Sequence, residues 1–163
     1  MLDKVKIDFV TREVEKFQAL LVALREIFEE EDKPYPKQAY LATLLEDDHL
    51  LVITATLEGE VVGGLTAYRL PSYEEMASMI YIYDLGVKEA FRTKGIGKKL
   101  VNFLLDYAQN HQAKAVFVDT EQVDNEEAIA FYNTVGFDTQ IRVLQYTFNC
   151  QSKVGESVGI KCR

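Results

Sequence analysis

The chain has 163 residues, enough for one domain with a sizeable apolar core. Its 48% hydrophobic and 27% charged residues give the balance of a globular protein and exclude a disordered or fibrous one. A net charge of −8 argues against nucleic acid, whose phosphates such a surface repels, and favours cationic ligands.

No apolar run approaches the roughly 20 residues that span a bilayer. Residues Met1 to Val10 alternate charged and apolar side chains instead of forming a signal peptide, so a cytoplasmic protein without membrane contact is expected. Cys150 and Cys162 are too few and too close together to frame disulfides or a metal site, and they read as reduced thiols.

Val5 to Val10 alternates as a short strand. Glu13 to Glu30 follows with Val14, Phe17, Leu21, Leu24 and Phe28 at helical spacing, and Thr11 is the expected N-cap. Pro34 and Pro36 break this helix, and a second short one carries Tyr40, Leu41, Leu44 and Leu45. Leu50 to Leu57 and Val61 to Leu70 read as an antiparallel hairpin turned by Glu58-Gly59-Glu60. Met79 to Val87 is a further strand, nearly all apolar or aromatic except for one carboxylate, Asp84.

Gly95 to His111 places Ile96, Leu100, Phe103, Leu104 and Tyr107 on one helical face, and Ala115 to Val118 is a short strand reached by a parallel crossover. Glu126 to Val135 is a helix stopped by Gly136, with a short strand around Phe137. Ile141 to Phe148 alternates as a closing strand, whose exposed edge could pair with a second copy of the chain. The pattern is a single α/β domain over residues 1–149 with a mixed sheet, followed by a polar tail over 150–163.

The sharpest local signal is Arg92-Thr93-Lys94-Gly95-Ile96-Gly97-Lys98, a glycine turn that opens a long helix. Unpaired amides and the positive end of the helix dipole suit a pyrophosphate there, and Lys88 and Lys99 add charge. Following a strand that ends Leu85-Gly86-Val87, this pattern resembles the coenzyme A loop of the GNAT acetyltransferase superfamily. Asn125 to Phe137, with Ala128, Tyr132, Gly136 and Phe137 in register, is similar to that superfamily's second helix, which lies beside the pantetheine and thiol.

The resemblance implies acetyl-CoA as cosubstrate, held by residues 92–98, by Asn125, Ala128 and Tyr132, and by backbone groups of Leu85 and Val87. A bulge is expected near Gly86, where the strand splays from Ala115 to Val118. More narrowly, Ile80-Tyr81-Ile82-Tyr83-Asp84-Leu85, with Val61 to Leu65 and Ala67 to Pro71, resembles the class I aminoglycoside 3-N-acetyltransferases. That likeness implies Asp84 as base or anchor for the acceptor amine, with Tyr83 beside it, and Tyr132 as the acid that protonates the departing thiolate. An ordinary aspartate is a weak base, so burial or a water relay must assist it.

Glu29, Glu30 and Asp32 are expected to line the roof of the acceptor pocket, where a cationic amine would bind. His49 and His111 have no triad partners and no cysteine enters either motif, so direct attack in a ternary complex is expected. Two other readings stay open: the same chemistry on a polyamine, amino sugar or peptide amine, and a coenzyme A-binding module without turnover.

Overall fold

A computed structural model describes residues 4–120 and 125–146. The elements in chain order are β1 (Lys6–Phe9), α1 (Val14–Ile27), α2 (Gln38–Leu45), β2 (Leu50–Leu57), β3 (Glu60–Pro71), β4 (Ser78–Val87), α3 (Ile96–Asn110), β5 (Ala113–Val118) and α4 (Glu126–Thr134). The strands form one sheet in the order β1-β2-β3-β4-β5. The first four pair antiparallel and β5 joins β4 in parallel.

The β2–β3 hairpin closes at the Leu57–Glu60 pair with Glu58 at φ 51° and Gly59 at φ 90°. Two successive positive φ values define the tight turn whose twist matches paired strands, and Gly59 takes its share without side-chain cost. The middle of the sheet is buried on both faces. Leu51, Ile53, Leu65, Ile80 and Ile82 pack with Leu100 and Leu104 of α3 in one core, and Val52 and Val61 pack with Leu20 and Leu24 of α1 in the other. This is the period-two geometry of a strand between two helix layers.

α1 starts at Glu13 rather than at the expected Thr11 cap. The Glu13 carboxylate folds back to accept from the amides of Thr11 and Arg12 at 3.1 and 3.0 Å. These backbone hydrogen bonds, that of Arg12 foremost, lower its pKa to about 2. The turn before the helix is thereby organised by a residue two positions from where serine or threonine logic points.

Close contact between α1 and the sheet depends on glycine. A Cβ on Gly64 would lie 2.6 Å from the Ile53 carbonyl oxygen and collide with Leu20, and one on Gly86 would lie 3.1 Å from Leu24 Cδ2. Backbone cannot retreat cheaply inside a packed sheet, so Gly64→Ala is expected to cost about 2–3 kcal/mol. For a chain of this size that lowers Tm by roughly 5–10 °C. A thermal melt within a degree of the parent would contradict this account of the interface.

The expected closing strand is not formed over its described part. Residues 138–146 carry no regular structure, and Ile141, Val143, Leu144 and Tyr146 are all exposed. Alternation supplies an apolar face, but a strand also needs a neighbour for its backbone hydrogen bonds, and the described sheet ends at β5. The short strand expected at Phe137 is likewise absent: its amide donates to the Tyr132 carbonyl at 3.1 Å as part of the α4 terminus. Residues 147–163, including the expected polar tail, lie outside the described residues.

Candidate active site

The sheet opens where β5 stops. Pairing between β4 and β5 runs from Ser78–Ala113 to Ile82–Val118 and then ends, while β4 continues for five more residues against β3. At that same point β4 carries a bulge: Ile82 pairs with Ala67 and Asp84 with Thr66, so Tyr83 is an extra residue. A bulge bends its strand and sharpens the local twist, which carries Tyr83–Val87 away from the line of β5. The expected bulge near Gly86 is therefore found three residues earlier, and Gly86 answers instead to the packing of α1.

One side of this opening is lined by the start of α3. Thr93 (φ 60°) and Gly95 (φ 78°) both adopt left-handed backbone, which turns successive amides toward a common point. Left-handed geometry is costly for a β-branched residue such as Thr93, and the turn is braced accordingly. Arg92 Nε donates to the Val87 carbonyl at 3.0 Å, and Lys94 Nζ donates to the Ala90 carbonyl at 2.7 Å.

No side chain caps α3 and no acid stands in its first turn, so its leading amides keep the dipole's positive end open to an anion. Arg92, Thr93, Lys94, Gly95 and Lys98 are exposed, while Ile96 is buried and can offer only its amide. Gly97 has a second reason to lack a side chain, since a Cβ there would sit 3.3 Å from the Phe131 ring. Lys88 is engaged elsewhere, 2.7 Å from Glu60.

α4 delivers Tyr132 to the same face of the sheet. Asn125 is the N-cap, its Oδ1 accepting from the Ala128 amide at 3.1 Å, and Gly136 (φ 96°) ends the last turn. These two positions of the second motif thus have a direct structural role in setting the helix. Ala128 packs against the core on the α3 side. Tyr132 is buried between Phe131 and Phe137, at ring distances of 5.2 and 5.1 Å. Burial pushes its phenol up to about 12.

Asp84 lies on the opposite face. Gly86 and Gly64 point at α1, and Asp84 and Thr66, two positions along their strands, share that orientation. The opening thus joins a face holding the amide turn and Tyr132 to a face holding Asp84 and Tyr83. Asp84 is half-buried and Tyr83 is 48% exposed.

The acids of the α1–α2 connection are arranged less simply. Glu30 is ion-paired with Lys33, and Glu29 and Asp32 stand exposed on a loop that Arg25 ties down by donating to the carbonyls of Lys33 and Pro34. Asp47, beyond this connection, lies within electrostatic reach of Tyr68 and is held in its charged form chiefly by the backbone amide of His49.

Sequence reasoning gave no site role to Tyr68 and Tyr40, which approach this face from β3 and α2, although Tyr68 falls in the Ala67 to Pro71 segment of the narrower resemblance. It gave no sign of a cavity of about 940 Å³ lined by Arg12, Glu46, Asp47, Asp48, Arg69 and Tyr107, among others. That cavity sits at the end of the sheet remote from the start of α3. Among the described residues, no group of histidine, cysteine and carboxylate side chains could hold a metal ion, and no helix is long and apolar enough to cross a membrane.

A helix start with open amides beside a parallel strand pair that opens, with a carboxylate on the far face, is an arrangement suited to acyl transfer. The chain belongs to the acetyltransferase (GNAT) family, whose profile matches residues 17–137. It is an acetyl-CoA-dependent N-acetyltransferase with a single-domain α/β fold.

Among solved structures it is similar to the aminoglycoside acetyltransferase meta-AAC0020 from an uncultured soil metagenomic sample. That protein is known in complexes with trehalose and with sisomicin, at 30% and 29% identity, a TM-score of 0.83, and coverage of 90% of this chain and 96% of that one. The uncharacterized N-acetyltransferase YhfO of Bacillus subtilis (strain 168) is 28% identical over 79% of this chain and 86% of its own. The N-alpha-acetyltransferase RimI of Mycobacterium tuberculosis is 31% identical over 65% of this chain and 63% of its own.

Proposed function

We propose that the protein transfers acetyl from acetyl-CoA to a primary amine of an aminoglycoside, at the 3-amino position, by direct attack in a ternary complex. The observation that carries this is the opening between β4 and β5, which connects the α3 amide turn and Tyr132 to Asp84 through the sheet. The pyrophosphate rests on the amides of residues 95–98 with Arg92 and Lys94 beside it, and the thioester enters the opening along Leu85–Val87. The acceptor arrives from the Asp84 face.

The amine nitrogen attacks the thioester carbonyl, a C–N bond forms, and the C–S bond breaks as the electron pair leaves on sulfur. Before attack the ammonium gives one proton to Asp84, directly or through water, which frees the nitrogen lone pair; the second proton, acidic once nitrogen is bonded to the carbonyl carbon, leaves to solvent, from which the thiolate is protonated. Converting an ammonium to a neutral amide removes one charge from the acceptor, which weakens its hold on any polyanionic target and would amount to antibiotic resistance in a cell. A cytoplasmic location fits this use.

Tyr132 stabilises the departing thiolate by hydrogen bonding and retains its proton. A phenol with a pKa near 12 gives up its proton only uphill to a thiolate, whose conjugate acid is ordinarily near 8.5. Tyr132→Phe is therefore expected to lower kcat by about tenfold, the worth of one hydrogen bond to a charged group. The phenol's high pKa also means that no descending limb from this group appears in the pH–rate profile below about pH 11. A thousandfold loss with an altered alkaline limb would instead make Tyr132 a true proton donor.

Thiol release from acetyl-CoA, measured with sisomicin, spermidine and a lysine peptide, tests the assignment. Fast turnover with sisomicin alone supports it, and turnover confined to the peptide would move the protein toward N-alpha-acetylation, the activity named for its relative RimI. Absence of turnover with every amine would leave a coenzyme A-binding module.

A further inference from the structure

Where α1 and α2 do not cover it, the sheet face around Asp84 is aromatic. Tyr68 of β3 meets Tyr83 edge-on with ring centroids 5.6 Å apart, Tyr83 meets Tyr81 at 6.0 Å, and Tyr81 stacks on Phe117 of β5 at 5.1 Å. Four rings from three strands thus form a continuous row beside the opening. Where α1 does lie on the sheet, the equivalent surface is glycine, at Gly64 and Gly86. Large rings half in water are not needed to fill that core, since Tyr83 is 48% exposed and Tyr40, which overlooks the row from α2, is 58% exposed.

Tyr68 is the junction of this row. It lies within electrostatic reach of Tyr83, Tyr40, Asp84 and Asp47, so two acidic groups act on it. Burial first, then these neighbours, hold its phenol above its ordinary value, so it remains a neutral group that can both donate and accept a hydrogen bond. A surface with flat apolar rings between two carboxylates is complementary to a ligand with a carbon face and several cationic substituents.

Resting on the acetyltransferase reading of Asp84, we propose that Tyr68 determines acceptor specificity: with Tyr83 and Tyr81 it forms a floor for the carbon face of a cationic amino-sugar ring, oriented between Asp84 and Asp47. A saturated ring whose amino and hydroxyl groups project from its rim lays its C–H face on the tyrosines and its ammonium groups against the carboxylates. A linear polyamine satisfies the carboxylates but presents no face to the floor. A peptide terminus brings one cation and leaves Asp47 with His49 as its partner.

The test compares Tyr68→Leu, which keeps apolar volume without a ring, and Tyr68→Phe, which keeps the ring without its oxygen, in the full chain. KM is measured for sisomicin, spermidine and acetyl-CoA, alongside thermal melts. Loss of the ring is expected to raise the sisomicin KM by about 10–100-fold, as for an aromatic anchor in an interface. Spermidine KM should move by less than about threefold and acetyl-CoA KM should stay unchanged, with Tyr68→Phe falling between Tyr68→Leu and the parent.

Equal losses with both acceptors, or an unchanged sisomicin KM, overturn the inference. Titration calorimetry of sisomicin into the coenzyme A complex separates this from failure of the activity itself. Binding that Tyr68→Leu abolishes supports the floor even without turnover. A parent that acetylates only spermidine or the peptide, and binds no sisomicin, overturns the floor while leaving acetyl transfer intact.

Discussion

Asp84→Asn is expected to lower kcat by about 10²–10⁴-fold, the range for removing a positioned acid–base group, with acetyl-CoA affinity within about twofold of the parent. The two losses separate because Asp84 faces α1 across the sheet, whereas the amide turn of α3 lies on the other face. Asparagine is nearly isosteric and preserves the strand position beside the bulge at Tyr83, so the sheet should survive. Steady-state kinetics with saturating acetyl-CoA, paired with calorimetric titration of coenzyme A, gives both numbers. If kcat were retained while cofactor affinity collapsed, the assignment of the two faces would be reversed.

Gly95→Val should show the converse pattern, a fall in coenzyme A affinity of about 10–100-fold with the folded core intact. Gly95 is the N-cap of α3 at φ 78°, a conformation that a β-branched residue adopts only at a cost of about 1–3 kcal/mol. The added methyl groups would also stand where the leading amides of α3 face an anion. Because Gly95 is exposed and outside both cores, the expected damage is to the turn and not to the packing of Leu100 or Leu104. Titration calorimetry with coenzyme A checks this, and an affinity within twofold of the parent would remove residues 92–98 from the binding site. Thr93 offers an internal comparison, since it already bears left-handed strain at φ 60° that the bracing by Arg92 and Lys94 sustains.

Most elements could be drawn from the chain alone because each carries a local signature. The hairpin turn at Glu58-Gly59 needs positive φ twice, and the sequence places glycine at one of those positions. The apolar spacing of α3 and the nearly unbroken run of β4 announce their burial. Helix starts were less legible: Glu13 replaces Thr11 as the cap because its longer carboxylate reaches back to two preceding amides.

The expected strand over Ile141 to Phe148 failed in its described part for a different reason. Alternation records which faces a segment could bury, and pairing depends on whether a neighbouring edge is presented to it. Gly86 was a subtler miss. Its absence of a side chain was read as tolerance for a bulge, yet it serves the approach of Leu24 and Ile27.

For the site, the sequence by itself determined the groups with local chemistry: the glycine turn that leaves amides open, the helix carrying Tyr132, and the single carboxylate in an apolar strand. Their types and spacings are properties of short segments, and a short segment is where hydrogen-bonding and charge preferences act. Only the tertiary structure decided that Tyr83 is the extra residue in β4, that pairing with β5 ends beside it, and that Tyr68 comes within electrostatic reach of both Asp84 and Asp47. These depend on register between strands distant in the chain and on which face a helix covers, quantities set by the packing of the whole sheet and written in no single stretch of residues.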